Sequence, residues 1–90
     1  MIHQKTTIHM KTMTCKQLGG ACDMAFQANT FEEIDAMSKQ HGTTMFEAKD
    51  EAHLKAMDDM KALKSSPESM QAWFESKRRE FDALPEDFKL

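Results

Sequence analysis

The sequence predicts an α+β fold: an N-terminal β-hairpin followed by three α-helices. Three observations carry this expectation. Thr and Ile collect in the first third of the chain and favour pleated strands, whereas the remainder is rich in Ala, Glu, Lys, Met and Gln, the good helix formers. Gly19-Gly20 lies between two candidate strands, where a tight reversal needs residues that accept positive φ. Beyond residue 29, helix-capping signatures and apolar residues at three-four spacing take over.

Ninety residues leave room for one small domain. Val is absent, and nine Met supply much of the bulky apolar volume, so the core is built from adaptable side chains. The net charge of −3 argues against a nucleic-acid partner, because neutralising phosphates takes a basic surface. No apolar run reaches membrane-spanning length, and residues 1–16 lack the continuous apolar stretch of a secretory signal. The expectation is a cytoplasmic protein with no membrane partner.

The hairpin can be read to the level of register. Met24, Phe26 and Ala28 alternate with Asp23, Ala25 and Gln27, and Cys22 has the parity of the apolar set. On the first strand Met13 and Cys15 share a face. Pairing Cys15 opposite Cys22 sets Met13 opposite Met24 and Lys11 opposite Phe26, which aligns two apolar pairs and both cysteines.

The first helix opens at Thr30-Phe31-Glu32-Glu33, a capping box. Its buried stripe runs through Ile34, Met37, His41, Met45 and Ala48. Because the apolar phase is not reset at Gly42, one helix to about residue 48 is expected; the competing reading ends it at Gly42 and starts anew at Thr44. Asp50 caps a second helix with His53, Ala56, Met57, Met60 and Leu63 or Lys64 along one side. Ser65-Ser66-Pro67 is a break, with Ser66 as cap and Pro67 in the first turn of a third helix. That helix carries Met70, Trp73, Phe74, Phe81 and Leu84, ends before Pro85, and is followed by Phe88. So much aromatic surface implies either completion of the core or a protein-partner or self-association face at Trp73, Phe74 and Phe81.

Several segments together resemble a small prokaryotic family catalogued as domain of unknown function 1059. They are residues 10–23 (Met-Lys-Thr-Met-Thr-Cys-Lys-Gln-Leu-Gly-Gly-Ala-Cys-Asp), Thr30-Phe31-Glu32-Glu33-Ile34, Met37-Ser38-Lys39-Gln40-His41-Gly42, and residues 50–57 (Asp-Glu-Ala-His-Leu-Lys-Ala-Met). The resemblance covers roughly residues 10–60 and brings no family-wide activity with it. It implies a short, stand-alone cytoplasmic domain with Cys15, Cys22 and His41 as motif positions. It also implies that Met10 opens the family core, leaving residues 1–9 as an extension or a misassigned start. The expected organisation is therefore an extension at 1–9, a hairpin-plus-two-helix core at 10–64, and an amphipathic helix and tail at 65–90.

The cysteines have three readings. They are two reduced, buried thiols that act as small hydrophobes, or a reversible disulfide across the hairpin, or half of a metal site completed by His41 and His53. Zinc is the metal that suits two thiolates and two imidazoles, although six residues between the cysteines is wider than a zinc knuckle. His41 alone also reads as a core histidine hydrogen-bonded to backbone or to a thiol. Met10, Met13, Met57 and Met60 beside Cys15 and His53 raise Cu(I) as a rival metal, but a Met stripe at helical spacing is ordinarily core.

No catalytic motif is present. Lys77-Arg78-Arg79 is bracketed by Glu75, Glu80 and Asp82 and reads as a solvated face. The expected function is a non-enzymatic interaction or regulatory domain whose Cys/His cluster binds metal or senses redox state. The alternative is a thiol-dependent redox enzyme or redox partner using Cys15 or Cys22.

Overall fold

The computed structural model describes residues 10–87; the proposed extension at 1–9, including Thr6-Thr7-Ile8, and Phe88 lie outside the described residues. The α+β architecture is as the sequence predicts. Strands β1 (Lys11–Thr14) and β2 (Ala25–Ala28) form an antiparallel hairpin, followed by α1 (Phe31–Glu47), α2 (Glu51–Leu63) and α3 (Pro67–Ala83).

The register differs from the sequence reading. Lys11 pairs with Ala28 and Met13 with Phe26, not Lys11 with Phe26 or Met13 with Met24. The shift is two residues, so the inward faces of Met13 and Phe26 are kept. Its cause is a longer connection. After β1 the chain leaves the sheet into a short 3-10 turn, Lys16–Leu18, which buries Leu18. Gly19 follows at φ 93°, and of the two glycines only this one has positive φ. Cys15 N–H donates to the carbonyl of Met24, not to Cys22, and Met24 itself is 51% exposed instead of facing inward.

The helix boundaries follow their caps. Thr30 and Glu33 close the capping box that starts α1, and α1 runs through Gly42 without interruption. Asp50 caps α2, and Ser66 caps α3 with Pro67 in its first turn. Between α1 and α2 the chain turns at Lys49, the one non-glycine residue with positive φ among the described residues.

The core comprises Met13, Cys15, Leu18, Phe26, Ala28, Phe31, Ile34 and Phe81, with Cys22, Phe74 and Leu84 packed against it. The predicted stripe on α1 is buried only at its start. Ile34 is fully enclosed, His41 and Met45 are half-buried, and Met37 and Ala48 are exposed. Strands of four residues cover only the first turns of a 17-residue helix. At the end of α2, the capping Lys64 and not Leu63 continues the half-buried side. The third helix reaches the core through Phe81, whose ring meets Phe31 edge-on at 6.1 Å. Trp73 and Phe74 are half-buried.

Candidate metal centre

Four side chains converge where the hairpin loop meets α1 and α2. One ligand atom from each of Cys15, Cys22, His41 and His53 lies within 4.8 Å of the other three. Cys15 Sγ is 3.6 Å from His53 Nε2, and Cys22 Sγ is 3.3 Å from His41 Nε2. A tetrahedron with Zn–S of about 2.3 Å and Zn–N of about 2.0 Å separates its sulfur and nitrogen vertices by about 3.5 Å. The group is therefore able to hold a metal ion such as zinc.

Each ligand is placed by a local feature of the sequence. Cys15 follows β1 and opens the 3-10 turn, its carbonyl accepting from the N–H groups of Leu18 and Gly20. Gly20 is needed for space: a Cβ at this position would collide with Cys15 Sγ. Cys22 follows on the returning limb of the loop, with Lys16 N–H donating to its carbonyl at 3.0 Å. His41 projects from the middle of α1, its ring edge-on to Phe26 at 5.7 Å and to His53 at 5.2 Å. His53 sits in the first turn of α2, where Asp50 caps the helix.

The Asp50 carboxylate also accepts from His53 Nδ1 at 2.6 Å. A carboxylate can only accept, so Nδ1 carries the proton and Nε2 of the neutral ring presents its lone pair toward the sulfurs. This carboxylate–imidazole arrangement is the usual outer support of a metal-bound histidine.

The electrostatics distinguish the two thiols. Burial pushes the Cys15 thiol up, against the opposing pull of the backbone N–H groups of Cys22 and Ala21. The Cys22 thiol is pulled down, chiefly by the backbone N–H of Met24 and then by His53. Hydrogen bonding to Asp50 raises His53, and the same bond lowers Asp50. Both cysteines are free thiols. They approach through the loop, not as the directly opposed cross-strand pair that the sequence register implied.

All four residues of the proposed metal set are thus brought together. Sequence reasoning did not assign Asp50 a part in the site beyond the cap. The signal was the Asp-x-x-His spacing, which puts a carboxylate at the N-cap within reach of the imidazole one turn on. The basic run near the C-terminus stays outside the cluster: Lys77 pairs with Glu80 at 3.3 Å, and Arg78 pairs with Glu32.

Set against protein-family models, curated proteins and solved structures, the chain matches none. No helix among the described residues is long and apolar enough to cross a membrane.

Proposed function

We propose that the protein is a non-enzymatic interaction or regulatory domain organised around a Cys2His2 zinc site formed by Cys15, Cys22, His41 and His53. The convergence of these four ligand atoms within 4.8 Å is the observation that carries the reading. Four protein ligands fill a tetrahedral zinc, which is the pattern of a structural site; catalytic sites keep a position open for water or substrate. In the family that the sequence resembles, domain of unknown function 1059, the motif positions Cys15, Cys22 and His41 would supply three of the four ligands.

The packing of α2 gives zinc a physical task. His53 is the only buried side chain of this 13-residue helix. A helix docked on so little apolar surface draws little from burial, and a bond from its first turn to an ion shared with the hairpin and α1 would anchor it. Zinc binding is then folding free energy for the α2 segment.

A zinc titration of the reduced full-length protein tests this. At a hundredfold excess over Kd, zinc should raise Tm by about 10 °C or more. Cys22→Ser and His41→Ala should each remove that gain, and hydrogen exchange across α2 should slow on zinc addition. A Tm that zinc leaves unmoved eliminates the reading. The alternative of a thiol-dependent redox protein draws on the half-buried Cys22 and its depressed thiol. In that case an added disulfide oxidant, and not zinc, would shift Tm, and His41→Ala would spare the effect.

A further inference from the structure

Beside the Cys/His cluster lies a cavity of 440 Å³ between the hairpin turn and the three helices. Its apolar wall is made by Leu18, Ala56, Met57, Met60, Met70 and Trp73. The volume falls within the range of small-molecule sites, which are mainly apolar with a few polar groups that orient the ligand. Three of the six wall residues are methionines, whose unbranched thioethers adapt to different apolar shapes.

The charged part of the lining is mostly cationic. Lys39, Lys61 and Lys64 contribute to it against one carboxylate, Asp35. Asp35 is already paired with Lys39 at 2.9 Å. Lys61 and Lys64 have no carboxylate partner among the described residues. Lys64 Nζ lies 4.5 Å from the centre of the Trp73 ring, so a cation and an aromatic face share one side of the cavity. An excess of positive charge here is the reverse of the chain as a whole, whose net charge is −3.

We infer that this cavity binds a small monoanionic carboxylate with an apolar body. The body packs among the methionines and against Trp73, and the carboxylate meets Lys61 and Lys64. Cys15, His41 and His53 also line the cavity, so its occupant rests against the metal-holding side chains without replacing them. The inference stands on the cavity and its lysines, and where zinc docks α2, which supplies much of the lining, the zinc-loaded protein is the state that carries the cavity.

Trp73 is the only tryptophan and reports on the site directly. Three probes with straight tails of nine or ten carbons separate the terms: decanoate, decanol and decyltrimethylammonium, each titrated into reduced full-length protein with and without zinc. Decanoate should give a saturable change in Trp73 fluorescence, with decanol about tenfold weaker and the ammonium showing no saturable change. Calorimetry on Lys61→Ala should show decanoate weakened roughly fivefold with decanol unaffected. Lys61 is exposed on a helix, so this variant should keep its fold. Equal affinity for decanoate and decanol, no saturable binding, or decanoate binding that both Lys61→Ala and Lys64→Ala leave unchanged would overturn the inference. Because both metal states are titrated, a failure of the zinc site would not be mistaken for a failure of the pocket.

Discussion

Asp50 holds His53 at two points: its carboxylate accepts from the His53 backbone N–H at 3.0 Å and from Nδ1 at 2.6 Å. The first bond caps α2 and the second fixes the ring, so the residue that starts the helix also aims the imidazole at Cys15. The two tasks can be separated. Asparagine is as good an N-cap as aspartate but brings no charge to the imidazole. Asp50→Asn should therefore leave the helix in place while weakening zinc by about 10- to 100-fold, the usual effect of losing an outer-shell carboxylate. Competition against a chromophoric chelator measures this; unchanged zinc affinity would reduce Asp50 to a cap.

The same pair sets a pH dependence whose sign reverses with metal. His53 is held above its ordinary value of 6.5, chiefly by Asp50. Its contribution to the stability of the metal-free protein is complete below that value and is lost as pH rises through the folded one. Asp50 is held below its ordinary 3.8, so its contribution is present above 3.8 and lost as pH falls through the folded value. The pair therefore stabilises most between pH 3.8 and 6.5. In urea unfolding of zinc-free protein, the stability gap between wild type and Asp50→Asn should narrow from pH 6 to pH 8. Zinc needs thiolates and a neutral imidazole, so the stabilisation it adds should grow over the same interval. A metal-free gap that widens with pH contradicts the assignment.

Two glycines offer a contrast in what the missing Cβ is for. At Gly20 a Cβ would run into Cys15 Sγ, and the backbone on either side is held by the Gly20 N–H bond to the Cys15 carbonyl at 2.8 Å. Gly20→Ala should displace the thiol and lose most of the zinc-dependent gain in Tm. Gly42 lies inside α1, and a Cβ there would meet only the end of Met57 at 3.9 Å. Gly42→Ala should stabilise the protein by about 0.5–1 kcal/mol, the cost of glycine in a helix interior. Thermal unfolding of both variants checks the pair, and a destabilising Gly42→Ala would show that the helix needs glycine there for close packing.

How far the sequence could be read depended on how local each signal was. Thr30, Asp50 and Ser66 act on backbone groups within their own first turn, so all three helix starts could be read from neighbouring residues. The hairpin register depended on a more distant event, the burial of Leu18. A local sign of it was present: Thr14-Cys15-Lys16-Gln17 has the spacing of a capping box, and Thr14 and Gln17 do exchange bonds at 3.2 and 2.7 Å. That exchange ends β1 and lengthens the loop. Met24 then falls outside β2, where strand parity no longer governs its side chain. The cysteine–histidine grouping survived the error because it needs only a loop that returns over α1, not a directly opposed pair. His53 joined it because α2 turns back beside α1, a geometry set at Lys49 that periodicity does not encode.

Where α3 attaches to the core, one strand residue and one helix residue meet. Phe81 is buried against Phe31, and Lys11 of β1 reaches over the Phe81 ring, its Nζ 5.2 Å from the centroid. The same Nζ donates to the carbonyl of Phe81 at 3.1 Å, which also accepts from the Leu84 N–H, and to that of Asp82 at 2.9 Å, so a cation joins the capping of the helix C-terminus. Phe81→Ala removes a core ring and should cost about 3–5 kcal/mol, enough to detach α3 or unfold a domain of this size. Lys11→Met keeps the apolar stem over the ring but loses the charge and both donors. Its cost should be about 1 kcal/mol, the scale of a cation at a helix terminus, and it should diminish in high salt where Phe81→Ala does not. Denaturant unfolding of the two variants at low and high salt separates packing from capping. If Phe81→Ala costs less than Lys11→Met, α3 is held by its end and not by its core contact.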